Sequence, residues 1–155
     1  MFRVLAGVIA LSASTPAFAS DWWYVGHTGH GSEMQVTFVD AASVIAIGNS
    51  NKRVWDYRID ASASSHGVRT IKHYYEVDCG DRTLKLVSWN SYGNNQRFID
   101  SSTIPSYQQT ADPVAPDSIG EGILNFICKG PEDTAVQLTA TSPERAAAAL
   151  FRSTK

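Results

Sequence analysis

No stretch of this chain gathers lysine and arginine into a basic run, and none approaches the roughly 20 apolar residues that a membrane-spanning helix needs. Only two cysteines occur in 155 residues. Each scarcity excludes something. With 13 basic against 15 acidic residues and no basic cluster, the chain is a poor partner for nucleic acid, whose phosphate backbone dominates affinity. The lack of a long apolar run excludes an integral membrane segment. Cys79 and Cys128 are too few for a structural zinc site and lack the Cys-x-x-Cys spacing of a redox motif. A Gly-x-Ser-x-Gly elbow, a Ser-x-x-Lys pair, a phosphate-cradling loop and an HExxH helix are all missing too. The chain therefore reads as a non-enzyme, with no cofactor expected.

What is there begins at the N-terminus. Arg3 precedes the apolar run Val4 to Leu11, and Ala17-Phe18-Ala19 leads into the polar Ser20-Asp21. A basic start, a short apolar core and an Ala-x-Ala ending have the layout of a secretory signal peptide, residues 1–19, cut after Ala19. No cysteine lies near that site, so the exported protein is expected to be periplasmic, secreted or at the cell surface, and not a lipoprotein. The mature chain would carry a formal charge of −3 and has the size of one domain. In an oxidising compartment an even cysteine count reads first as a disulfide, Cys79 to Cys128. Two free buried thiols are the alternative.

Along the mature chain, hydrophobic alternation marks strands. Asp21 to Gly26 is short and aromatic, and Met34, Val36 and Phe38 alternate with Gln35 and Thr37. Trp55, Tyr57 and Ile59 oppose Asp56 and Arg58, which predicts a strand with one wet side. From Val68 to Cys79, Ile71, His73, Tyr75, Val77 and Cys79 share one face, and Thr70, Lys72, Tyr74, Glu76 and Asp78 share the other. Turns at Gly80-Asp81-Arg82 and Gly93-Asn94-Asn95 separate two further strands. Close spacing with hairpin signals implies an antiparallel meander of five or six strands.

Pro105, Pro113 and Pro116 then break a polar linker. Ile119, Ile123, Phe126 and Ile127 form a helical apolar stripe, and Ser118 with Glu121 has capping-box spacing. A disulfide from Cys79 at a strand end to Cys128 would staple this helix to the sheet. Residues 130–155 form a tail in which Ser142-Pro143 and an alanine run predict a short helix, docked weakly by Leu150 and Phe151. The fold class is α+β.

His27 and His30 lie three apart in a glycine-rich turn, and with His66 or His73 they offer imidazole nitrogens to a transition metal. A loop gives them no fixed geometry, so they read as exposed turn residues. His73 falls on an inward face beside Tyr75, where a hydrogen bond would satisfy it. Glu76 and Asp78 share a strand face and read as solvated rather than as an acid–base pair. Adjacent aromatics must split across the sheet, so one of Trp22 and Trp23, and one of Tyr74 and Tyr75, should point outward. Outward aromatics are typical interface anchors; the candidate interaction surface is Trp22, Trp23, Tyr74, Glu76 and Asp78.

The ordered segments Trp23-Tyr24-Val25, Phe38-Val39-Asp40-Ala41-Ala42-Ser43-Val44, Val54-Trp55-Asp56-Tyr57-Arg58, Tyr75-Glu76-Val77-Asp78-Cys79 and Val114 to Cys128 resemble the surface-adhesin protein E-like family of Gram-negative bacteria. The most distinctive is Val114-Ala115-Pro116-Asp117-Ser118-Ile119-Gly120-Glu121, which opens the helix ending in Cys128. The resemblance makes residues 20–129 the family's domain. It implies an antiparallel sheet with a packed helix, a cell-envelope location and, for the adhesin that names the family, binding of host matrix and plasma proteins. The expected function is an exported, non-enzymatic envelope or secreted binding module, adhesin-like, with a host or envelope protein or a second copy of the chain as partner. The alternative is a small periplasmic enzyme or metal-handling protein that uses His27, His30 and His73.

Overall fold

A computed structural model of the protein describes residues 20–131 and 135–153. The expected signal segment lies outside the described residues. Strands β1 (Trp22–Thr28), β2 (Gln35–Asp40), β3 (Ile45–Ala46), β4 (Asn51–Asp60), β5 (Thr70–Asp78), β6 (Thr83–Tyr92), β7 (Phe98–Thr103) and β8 (Ala111–Pro113) precede helix α1 (Ile119–Lys129). Strand β9 (Val136–Gln137) and helix α2 (Pro143–Ser153) follow it. The strands form one sheet in the order β7-β6-β5-β4-β2-β1-β9, with β3 paired to β4 and β8 to β6. Every pairing is antiparallel, as the meander requires. Among the described residues nine strands appear where five or six were expected, because β3, β8 and β9 are two or three residues long and too short to display a period.

Each broad face of the sheet is covered over part of its area by a helix. On one face α1 lays Ile123, Leu124, Phe126 and Ile127 over Val39, Val54 and Val77, with Trp23, Tyr75 and Leu84 around them. On the other, α2 covers Met34, Val36, Phe38, Tyr57 and Ile59 with Ala147, flanked by Trp22, Tyr24, Leu150 and Phe151. This corrects the expectation that β4 has one wet side. Val54 and Asp56, on the α1 side, are as buried as Tyr57 and Ile59 on the α2 side. A polar residue in an alternating strand signals water only when no second layer covers it, and Asp56 is buried because His73 satisfies its carboxylate.

Local chemistry fixes α1. The Ser118 hydroxyl accepts the Glu121 backbone N–H at 3.2 Å. The Glu121 carboxylate accepts the Asp117 N–H at 2.8 Å and pairs with Arg82 at 2.6 Å, which ties the helix start to the β5–β6 turn. Gly26, at a bulge in β1 beneath Ile119 of α1, adopts φ +155°, a backbone conformation that favours glycine. Cys79 and Cys128 form a disulfide that joins the end of β5 to the last turn of α1. The Lys52 ammonium donates to the Ile127 carbonyl at 2.7 Å, a second tie at the same helix end.

Candidate functional site

The register of β4, β5 and β6 divides the sequence-expected residues between the two faces. Trp55 lies opposite Tyr74, Arg53 opposite Glu76, and Glu76 opposite Lys85. These residues share the α2 side of the sheet with Trp22, but α2 sits at the Phe38, Tyr57 and Ile59 end and leaves them uncovered. The Trp55 and Tyr74 rings stack with centroids 4.8 Å apart. Beside them the Lys72 ammonium lies 4.8 Å from the Tyr57 ring centroid and 5.8 Å from those of Trp22 and Tyr92, so one cation is shared by three aromatic rings. Trp22, Trp55, Lys72, Asn90 and Asp40 line a hollow of about 220 Å³.

The charged end of the patch is equally ordered. Glu76 accepts from Arg53 at 3.1 Å and pairs with Lys85, one carboxylate between two cations on neighbouring strands. Burial works against the Glu76 charge, but the hydrogen bonds from Lys85 and Arg53 prevail and hold its carboxyl below the usual range. The Asp78 carboxyl is also lowered, chiefly by the Asp81 backbone N–H, with Gly80 adding a second bond. Asp78 thus builds the β5–β6 turn, while Glu76 locks the strands.

Trp22 and Trp23 do point to opposite faces, yet neither is exposed. Trp23 packs on Phe126 of α1 with centroids 5.6 Å apart, and Trp22 packs on Tyr57 at the same separation. The covering of both faces takes Trp23 out of the open patch and leaves Trp22 at its margin. Tyr74 stays on the open side and Tyr75 is turned under α1, where burial pushes its phenol well up. The patch also contains Arg53, Trp55, Lys72 and Lys85, which the sequence reading did not single out as surface. The signal was positional for three of them, since Arg53 and Lys85 lie opposite Glu76 and Trp55 opposite Tyr74 once the hairpin register is known, whereas Lys72 lies opposite Tyr57 and Asn90. Phe98 and Tyr107, 57% and 84% exposed on or just after the edge strand β7, were not among the aromatics weighed from sequence.

The histidines fall into two groups. His27 and His30 are exposed beside the β1–β2 turn, and His27 Nδ1 meets the Tyr24 hydroxyl at 2.7 Å. His66 and His73 instead line one groove of about 400 Å³ at the uncovered end of the α1 side. Its walls are mostly apolar, from Val68, Ile71, Leu86, Trp89 and Ile99. Asp56 holds His73 twice, at the ring Nδ1 (2.8 Å) and the backbone N–H (3.0 Å). Among the described residues, no three His, Cys, Asp or Glu side chains gather in a way that could hold a metal ion.

A family model described as surface-adhesin protein E matches residues 22–129. The chain belongs to that family. The matched stretch holds β1 to β8, α1 and the disulfide, while β9 and α2 follow it. Two solved structures align with this adhesin-family chain. Crystal form II of Haemophilus influenzae protein E is 15% identical, with 60% of this chain and 80% of that one covered and a TM-score of 0.46. Protein E from non-typeable Haemophilus influenzae is 11% identical, with 94% and 96% covered and a TM-score of 0.45. No curated protein matches the chain. Among the described residues, no helix is long and apolar enough to cross a membrane.

Proposed function

We propose that this adhesin-family chain is an exported, non-enzymatic binding module of the cell envelope, recognising a protein partner through the open patch of its sheet. The observation that carries the reading is the stacked Trp55–Tyr74 pair beside the Lys72 cation, on a surface stiffened by the Arg53–Glu76–Lys85 bridge. Aromatic rings bring large contact area at little cost in side-chain entropy, and flanking charges set orientation and encounter rate. The partner is a host or envelope protein, or a second copy of the chain. The test is binding of the mature protein to envelope extract and to host matrix protein, together with its sedimentation. A Trp55→Ala/Tyr74→Ala double variant should lose the interaction while keeping its melting behaviour. Binding that survives the double change would refute the assignment of this patch.

The groove supports a second reading. An imidazole oriented by a carboxylate at an apolar wall, with His66 on the same groove, is an arrangement that a small-molecule site or a small periplasmic enzyme uses. It lacks an activated nucleophile: Ser91, on the groove, gives its hydroxyl to the Asp100 carbonyl at 3.2 Å. His73→Ala would abolish a groove function and leave the Trp55–Tyr74 patch intact, so the two variants separate the readings.

A further inference from the structure

Two cavities lie along α2. The larger, about 560 Å³, opens between α2 and the loop that joins β4 to β5. Arg69 and Arg152 line it together with Ala61, Ser62, Ala148 and Phe151. Arg69 sits half-buried with its guanidinium carbon 5.7 Å from the Phe151 ring centroid. Among the described residues, neither arginine has a carboxylate within ion-pair distance; Asp60 pairs directly with Arg58 at 3.4 Å and acts on Arg69 only from farther away. Two guanidiniums at one concave, partly apolar site, neither closed off by a direct ion pair, form a recognition surface for carboxylate or phosphate, which the planar guanidinium fork matches in two-point contact. The volume is that of a small-molecule site.

The second cavity, about 350 Å³, shares Arg69, Ala148 and Phe151 with the first but carries the Glu144 carboxylate. Charge therefore decides which of the two takes an acidic head. We propose that the larger cavity binds a small organic anion, its acidic head held by Arg69 and Arg152 and its apolar body against Phe151, Ala148 and Ala61. Arg69 and Ala61 belong to the family-matched stretch, whereas Arg152, Phe151 and Ala148 come from α2 beyond it. The ligand thus bridges the sheet and the C-terminal helix, and its binding fastens α2 in place. This assignment is independent of the protein-binding patch, which lies on a different part of the sheet.

The experiment is calorimetric titration of the mature protein with phenyl phosphate, octanoate and inorganic phosphate at matched ionic strength. Phenyl phosphate or octanoate should saturate one site and raise the melting temperature, and inorganic phosphate should bind at least tenfold more weakly for want of an apolar body. Whichever organic anion binds tighter identifies the head group. Arg152→Gln, at an exposed position where folding is not at stake, should weaken binding about tenfold or more. Arg69→Gln should do the same, and Arg152→Lys should restore part of the loss. The proposal is overturned by the absence of saturable binding to either organic anion, by unchanged affinity in Arg152→Gln, or by inorganic phosphate binding as tightly as phenyl phosphate.

Discussion

The two helices cover the same sheet by opposite means. Helix α1 presents Ile123, Leu124, Phe126 and Ile127, all nearly inaccessible, and is fastened by the disulfide, by Lys52 and by the Arg82–Glu121 pair. Helix α2 fully buries only Pro143 and Ala147 and is held by side-chain contacts at its margins. Those are the Tyr57 hydroxyl donating to Glu144 at 2.9 Å and Arg69 over Phe151. One face is a committed core and the other is a seat. Alanine lets a helix approach closely but transfers little apolar area, so α2 depends on a few polar and aromatic contacts that single substitutions can remove.

Removing core from the α1 face should cost most. Phe126→Ala is expected to lose about 3–5 kcal/mol in chemical denaturation, from lost transfer and an uncollapsed cavity. Cys79→Ser/Cys128→Ser should lose about 4 kcal/mol, because the bridge closes a loop spanning 49 positions. A loss under about 1 kcal/mol in either variant would show that the two helices are held alike. On the α2 face, Phe151→Ala should cost only about 1 kcal/mol, since its ring is part-exposed. Hydrogen exchange should rise in α2 and not in α1.

Tyr57→Phe should remove about 1 kcal/mol and also a pH response. Burial above all pushes the Tyr57 phenol up to about 12 from 10.0, so it is the neutral form that the folded state favours. That contribution is complete below pH 10 and is lost as pH rises toward 12. In wild type α2 should loosen across that window, and in Tyr57→Phe this part of the alkaline loss should vanish. The smallest effect belongs to Glu76→Gln on the open patch, below about 1 kcal/mol for a part-exposed bridge. Because the folded Glu76 pKa lies below 4.5, its contribution is present above that pH and disappears as acid takes the solution through the lowered value. The variant should be less sensitive to acid than wild type.

The strands, the capped helix and the cysteine pairing were legible because each is written locally. Ile119, Ile123, Phe126 and Ile127 repeat at helical spacing, and Ser118 with Glu121 marks the start. The second covered face was legible only in part: Leu150 and Phe151 mark a weakly docked helix, as found, but not the sheet face on which it docks. Nothing in Ala146 to Ala149 distinguishes a docked helix from a solvated one, because the apolar contribution comes from Tyr57, Phe38 and Met34 beneath it. For the same reason Trp23 read as a surface candidate: alternation assigns a residue to a face, and only tertiary packing decides whether that face is wet. The groove shared by His66 and His73 was half legible. The inward position of His73 follows from strand period, whereas His66 reaches it from a loop whose path no periodicity records.

The strand order has a consequence for how the chain assembles. From β4 through β7 each strand hydrogen-bonds to its successor, so these pairings close over short loops whose entropic cost is small. Pairings of β2 with β4 and of β8 with β6 skip one short strand each, whereas β9 returns all the way to β1; the Gln137 side chain reaches Asp21 across 116 positions. That closure carries the largest loop entropy in the sheet and is repaid by two paired residues. Hairpins can therefore form in chain order as the polypeptide becomes available. Loop entropy alone would place the return of β9, and with it the delivery of α2, last in assembly and first in opening.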